Sequence, residues 1–88
     1  MIKAYILLTI NLGSTKQVLD DLKKLERNEL TVIESISMVT GIYDVVIKVK
    51  VDTLEALYDL TYIHLSNIKG IEKLTTFVIE KEIIPEED

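Results

Sequence analysis

Val39-Thr40-Gly41-Ile42-Tyr43-Asp44-Val45-Val46-Ile47-Lys48-Val49 reads as the end of one strand, a tight turn at Gly41 and a second strand rich in β-branched residues. Glycine enters backbone conformations barred to most residues. A short glycine-containing connection between two strand patterns marks a hairpin. Beyond the turn, Tyr43, Val45, Ile47, Val49 and Val51 make one continuous apolar face, with Asp44, Val46, Lys48 and Lys50 on the other. That period-two alternation is the mark of a strand.

Working outward, Leu30 to Thr40 supplies the first strand of the hairpin. Val32, Glu34, Ile36 and Met38 alternate with Ile33, Ser35, Ser37 and Val39. Upstream, Ile2, Ala4, Ile6, Leu8 and Ile10 form the apolar face of a strand over Ile2 to Asn11. Gly13-Ser14-Thr15 breaks it and offers a capping hydroxyl. Val18, Leu19, Leu22 and Leu25 then fall at helical spacing to about Arg27, and Asn28 is suited to end that helix. Downstream, Asp52-Thr53 caps a second helix with Leu54, Leu57, Thr61, Leu65 and Ile68 along one side and Tyr58 and Tyr62 flanking. Ile71 to Ile84 holds a fourth strand, stopped at Pro85, and Glu86-Glu87-Asp88 forms a solvated tail.

The order β-α-β-β-α-β predicts an α+β, ferredoxin-like fold: a four-stranded antiparallel sheet with both helices on one face. The apolar faces of Ile2 to Ile10 and Tyr43 to Val51 are expected to meet the helices. The opposite face has nothing in the chain to cover it, yet would carry Tyr5, Leu7, Val46, Leu74 and Val78. Each large apolar side chain buried contributes about 1.5–3 kcal/mol, so two sheets are expected to pack face to face in a homodimer, a dimeric α+β barrel.

Composition narrows the function. Residues 1–88 read as a single domain. With 48% hydrophobic residues, a domain of this size has more apolar surface than it can hide alone. The net charge of −5, with lysines scattered, gives no basic face for phosphates, so direct nucleic-acid binding is not expected. There is no cysteine, hence no disulfide or thiolate zinc site. No signal peptide is recognisable and no apolar run approaches the about 18 residues of a membrane span, so a cytoplasmic protein is expected.

Gly41, Tyr43 and Asp44 are the one compact cluster of special residues. Their structural role is a hairpin, with the Asp carboxylate accepting from backbone amides. Their functional role is a recognition loop. A carboxylate suits an ammonium group and backbone N–H groups suit a carboxylate, so the two together can hold an amino acid. Thr75 and Thr76 point to opposite faces, so at most one serves any one site. His64 is the only histidine and lacks a second ligand at i+4. No nucleophile–base pair and no phosphate loop stands out. The chain is therefore expected to be no enzyme, with no cofactor and no metal.

With Val39-Thr40-Gly41-Ile42-Tyr43-Asp44 in view, the chain resembles the effector-binding domain of the leucine-responsive regulator/AsnC transcription factors. Ile68-Lys69-Gly70-Ile71 stands where that family has a second turn. Leu74-Thr75-Thr76 departs from its Thr-x-Thr strand at Leu74. The resemblance implies sheet-to-sheet dimers assembling into rings, commonly octamers, with amino-acid effectors held between dimers. It places Gly41, Tyr43, Asp44, Thr40 and Thr76 at the ligand site. Members of that family normally carry an N-terminal helix-turn-helix domain. This chain starts at the first strand and reads as a stand-alone effector domain without a DNA-binding domain, acting by mixed assembly with full-length regulators. Two rivals remain: a ligand-free oligomerisation module, and a small monooxygenase on the same barrel scaffold. An ACT-type amino-acid-binding domain shares the topology.

Overall fold

Two alternating apolar faces, one on each central strand, close over the helices to make the core. The structure, a computed structural model, describes residues 1–25 and 30–86. Its elements are β1 (Ile2–Ile10), α1 (Thr15–Lys23), β2 (Thr31–Met38), β3 (Val45–Val51), α2 (Leu54–Asp59) and β4 (Ile71–Val78). The sheet order is β2-β3-β1-β4, and every pairing is antiparallel. This is the expected ferredoxin-like arrangement. α1 ends at Lys23, capped by Lys24, before its expected end at about Arg27; Arg27, Asn28, Glu87 and Asp88 themselves lie outside the described residues.

β1 and β3 are central because both are apolar along one whole face. Ala4, Ile6, Leu8, Val45, Ile47, Val49 and Val51 are fully buried. Val18 and Leu22 of α1, with Ala56, Leu57, Leu60 and Leu65 from α2 and its continuation, close over them. Thr53 caps α2 as expected, its hydroxyl accepting from the Ala56 N–H at 3.1 Å. The Ser14 hydroxyl makes no such bond to α1. Past Asp59 the rod widens into a π-helical turn over Leu60–His64 and tightens into a 3₁₀ turn over Leu65–Asn67. That change of pitch buries Leu60, Thr61 and Leu65 together, whereas Leu54, expected on the buried side, is 45% exposed.

Register corrects the expected faces of the outer strands. Directly paired residues in an antiparallel ladder point to the same face. Leu74 stands opposite Leu8, Thr76 opposite Ile6 and Val78 opposite Ala4, so Leu74 and Val78 belong to the helix-covered face. Phe77, opposite Tyr5, and Thr75, opposite Leu7, take their place on the open one. In β2 a register shift between Ile33 and Ser35 lets Ile33 and Ile36 share one face, opposite Val49 and Ile47. A bulge of this kind reverses the parity that alternation alone predicts. The open face thus carries Tyr5, Leu7, Thr9, Val46, Thr75 and Phe77, with Lys3, Lys48 and Lys50 gathered at one end.

Turn glycines differ in what they tolerate. At Gly41 (φ +154°) an added Cβ meets nothing within 4 Å. At Gly70 (φ +100°) it would lie 2.7 Å from Ser14 Cβ and 2.9 Å from Val18 Cγ2. Gly70 is where the chain enters β4 pressed against the start of α1, and its carbonyl accepts from the Asn11 N–H at 2.8 Å. Gly70→Ala combines a strained backbone of about 1–2 kcal/mol with a clash between fixed atoms. It should lower the urea midpoint clearly more than Gly41→Ala, and equal midpoints for the two variants would contradict this packing.

Candidate functional site

The site forms where three chain segments run out of ladder at the same end of the sheet. β4 bulges opposite Thr9 and Ile10: Thr9 stands opposite Lys73 while Ile10 stands opposite Ile71, leaving Glu72 as the extra residue. The Ile10 N–H, on the β3 edge of β1 just beyond the last pair Leu8–Val45, donates to Asp44 Oδ2 at 2.7 Å. The Asp44 N–H in turn donates to the Leu8 carbonyl at 2.8 Å, and the Val39 N–H closes the hairpin by donating to the Asp44 carbonyl at 3.0 Å. Asp44 therefore locks the Thr40–Tyr43 turn onto the end of β1. This is the backbone-tying role expected of an aspartate in a turn.

Around this knot lies an open cavity of about 580 Å³, lined by Thr9, Ile10, Ile42, Tyr43, Asp44, Glu72, Lys73 and Thr75. That volume falls in the range typical of small-molecule sites. Its lining holds charges of both signs, Asp44 and Glu72 against Lys73. Thr9 adds a buried hydroxyl, Oγ1, that has no hydrogen-bond partner. Buried polar atoms in folded proteins are nearly always paired, so an orphan hydroxyl in a cavity wall has capacity to spare. Ile42, 87% exposed, and half-buried Tyr43 add apolar surface at the rim.

Of the residues singled out by sequence, Tyr43 and Asp44 line this cavity. Thr40 and Gly41 lie in the same turn, exposed to solvent, but not in its wall. Thr76 is elsewhere: it faces the helices and lines a second groove of about 400 Å³ with Leu57, Tyr58, Thr61, Tyr62, Leu74 and Val78. There Tyr58 and Tyr62 pack with ring centroids 5.9 Å apart. Thr75, not Thr76, shares the cavity with Asp44. Thr9, Glu72 and Lys73 do not stand out in the sequence, and Thr75 does so only as one of the Thr75-Thr76 pair. The signal for them is the β1–β4 register, which sets Thr9 against Lys73 and Leu7 against Thr75. His64 sits exposed on the π-helical turn. Among the described residues, no group of three or more His, Asp or Glu side chains is placed to hold a metal, and no helix is long and apolar enough to cross a membrane.

A four-stranded antiparallel sheet with two helices in β-α-β-β-α-β order is an α+β domain of the ferredoxin-like class. The chain belongs to the Lrp/AsnC ligand-binding domain family, whose model matches residues 3–88. This is a family of effector-binding domains of transcriptional regulators. Among solved structures the chain is similar to TTHA0845 from Thermus thermophilus, with 21% identity and a TM-score of 0.82 over 97% of this chain and 100% of that one. It is also similar to AsnC of E. coli, at 22% identity and a TM-score of 0.74 over 99% of this chain and 56% of that one. A third is the transcriptional regulator NMB0573 of Neisseria meningitidis, solved as a complex with L-Met, at 16% identity and a TM-score of 0.78 over 96% of this chain and 53% of that one. The chain thus spans about half the length of the latter two, and at these identities the likeness is one of fold. No curated protein sequence matches it.

Asp44→Ala removes the acceptor of the Ile10 N–H and should lower stability by about 1 kcal/mol, while Asp44→Asn, which keeps an oxygen acceptor, recovers most of that loss. Urea unfolding of the two variants beside the parent protein checks the order. An Ala variant as stable as the parent would remove Asp44 as the lock of the turn.

Proposed function

We propose that the domain binds an amino acid or a closely related zwitterion in the Asp44 cavity, and couples that binding to self-assembly in the regulation of amino-acid metabolism. The observation that carries the reading is the orphan Thr9 Oγ1 in a wall that also holds Asp44, Glu72 and Lys73. An ammonium group suits the carboxylates, a ligand carboxylate suits Lys73, and the hydroxyl gains the partner it lacks. The L-Met complex of the Neisseria meningitidis regulator supports the ligand class. Tyr43 and Ile42 stand at the mouth for the ligand side chain, with Gly41 and Thr40 offering turn backbone.

Assembly follows from the open face. Phe77 is 53% exposed beside half-buried Tyr5, Leu7 and Val46, a continuous apolar surface with no helix over it. A second copy laid face to face covers it, the dimeric α+β barrel, and dimers of this kind build larger rings. The cavity wall includes Thr9 and Thr75 of that same face, so a dimer places the site at its margin. Through mixed assembly the domain would pass its ligand state to full-length, DNA-binding relatives.

The test has two arms. In a thermal-shift screen of the twenty amino acids, a ligand at 100 times its dissociation constant adds about 2.7 kcal/mol per site. Lys73→Glu and Asp44→Asn should each abolish the shift. No shift with any amino acid at millimolar concentration would leave a ligand-free assembly module. In sedimentation velocity, Leu7→Asp should turn a dimer into a monomer, and a persisting dimer would refute face-to-face pairing.

A further inference from the structure

Beyond the sheet, the chain runs on as an arm without regular secondary structure, and its apolar residues Ile83 and Ile84 are exposed. The Ile79 N–H donates to the Lys3 carbonyl at 2.9 Å, the last ladder-like bond of β4. One step further Lys3 Nζ pairs with Glu82 Oε1 at 3.2 Å. Glu80, Lys81 and Glu82 still lie along a shallow cavity with Met1, Ile2 and Leu54. After that the arm leaves the body: Ile83 is 75% and Ile84 81% exposed. The molecule measures 45 × 30 × 18 Å with a radius of gyration of 13.6 Å, against about 12 Å for a compact domain of this length. An arm fastened at its root and carrying an exposed isoleucine pair offers apolar surface to a partner.

Charge says by what. Lys3 stands opposite Lys50, with Lys48 one step along the same face. Like charges directly opposite on a ladder repel. Lys50 has only a longer contact with Glu34, at 3.8 Å. Packing two copies by this face would bring the lysine ends into a shared, drying interface unless acidic groups enter with them. The arm carries Glu80, Glu82 and Glu86 against one lysine, Lys81, and starts at the margin of that face. Its acidic stretch is complementary to the lysine end, and its isoleucine pair supplies apolar area just beyond.

We infer that the segment Glu80–Ile84 is an intersubunit clasp that crosses onto a second copy of this chain, its glutamates closing over the lysine end of the paired sheets and Ile83 and Ile84 seated on the partner. This rests on the face-to-face pairing proposed above. Pro85 ends the clasp, because a residue without an N–H cannot extend a ladder.

The double variant Ile83→Asp/Ile84→Asp tests it by sedimentation equilibrium of the full chain. Both side chains are exposed in the single copy, so its fold is expected to hold, which circular dichroism verifies. The dimer dissociation constant should rise about tenfold or more, while Ile83→Leu/Ile84→Leu should stay near the parent value. A dimer broken by Leu7→Asp yet unmoved by the arm double variant would overturn the clasp and leave the sheet pairing intact. A parent protein that is monomeric throughout the micromolar range would overturn both.

Discussion

β1 is hydrogen-bonded along both edges, to β3 and to β4, and its register sorts nearly every side chain of the sheet onto one of two faces. Ile6 lies opposite Ile47 on one side and Thr76 on the other, so all three turn to the helices. Leu7 lies opposite Val46 and Thr75, so those three turn away. A slip of one residue would exchange the two sets. It would expose Ala4, Ile6 and Leu8, which are wholly buried, and put Tyr5 and Leu7 against the helices. The loss of several aliphatic burials, each contributing about 1.5–3 kcal/mol, is what holds the register.

The site is a by-product of where that register fails. The β1–β4 register shifts at Thr9–Ile10 and leaves Glu72 as an extra residue at the cavity wall. Bulges of this sort bend a strand and re-aim a side chain. On the opposite edge of β1 the pairing with β3 ends at Leu8–Val45, and the next N–H on that edge, that of Ile10, goes to the Asp44 carboxylate, a stronger acceptor than a carbonyl. Two irregularities, one on each edge of β1, together shape the cavity and fasten the turn that borders it.

How much of this is legible in the sequence follows from what is local. The four strands, two helices and central hairpin show in periodicity and turn residues, because each depends on neighbours within a few positions. Thr53 as a cap and the buried faces of β1 and β3 show for the same reason. The faces of β2 and β4 do not, since a single extra residue at Glu34 or Glu72 reverses parity and alternation cannot reveal it. Alternation puts Leu74 and Val78 on the wrong face on that account. The candidate site is half legible. Tyr43 and Asp44 announce themselves in the hairpin, but Thr9, Lys73 and Thr75 reach the cavity only through pairing between strands distant in sequence, as Thr9 and Lys73 are. The change of pitch after Asp59 is likewise set by packing, and it brings Leu60 into the core against the expected stripe.

The open face and the cavity share residues, and that has a thermodynamic consequence. Thr9 and Thr75 stand on the face proposed to pair and in the wall proposed to hold ligand. Any change in how those side chains are packed or hydrated on dimerisation alters what the cavity offers a ligand. If pairing changes ligand affinity by some factor, ligand must change the pairing constant by the same factor. The size of that factor is set by the differential contacts alone, however tight the ligand. Thr9 Oγ1 is the natural carrier: unpaired in the single chain, it leaves a cost that either a ligand atom or a partner group can relieve. If the two compete for it, ligand opposes pairing, whereas if pairing orients it towards the cavity, ligand drives assembly. The sign of the coupling thus rests on one hydroxyl at the margin of the sheet rather than on the fold as a whole.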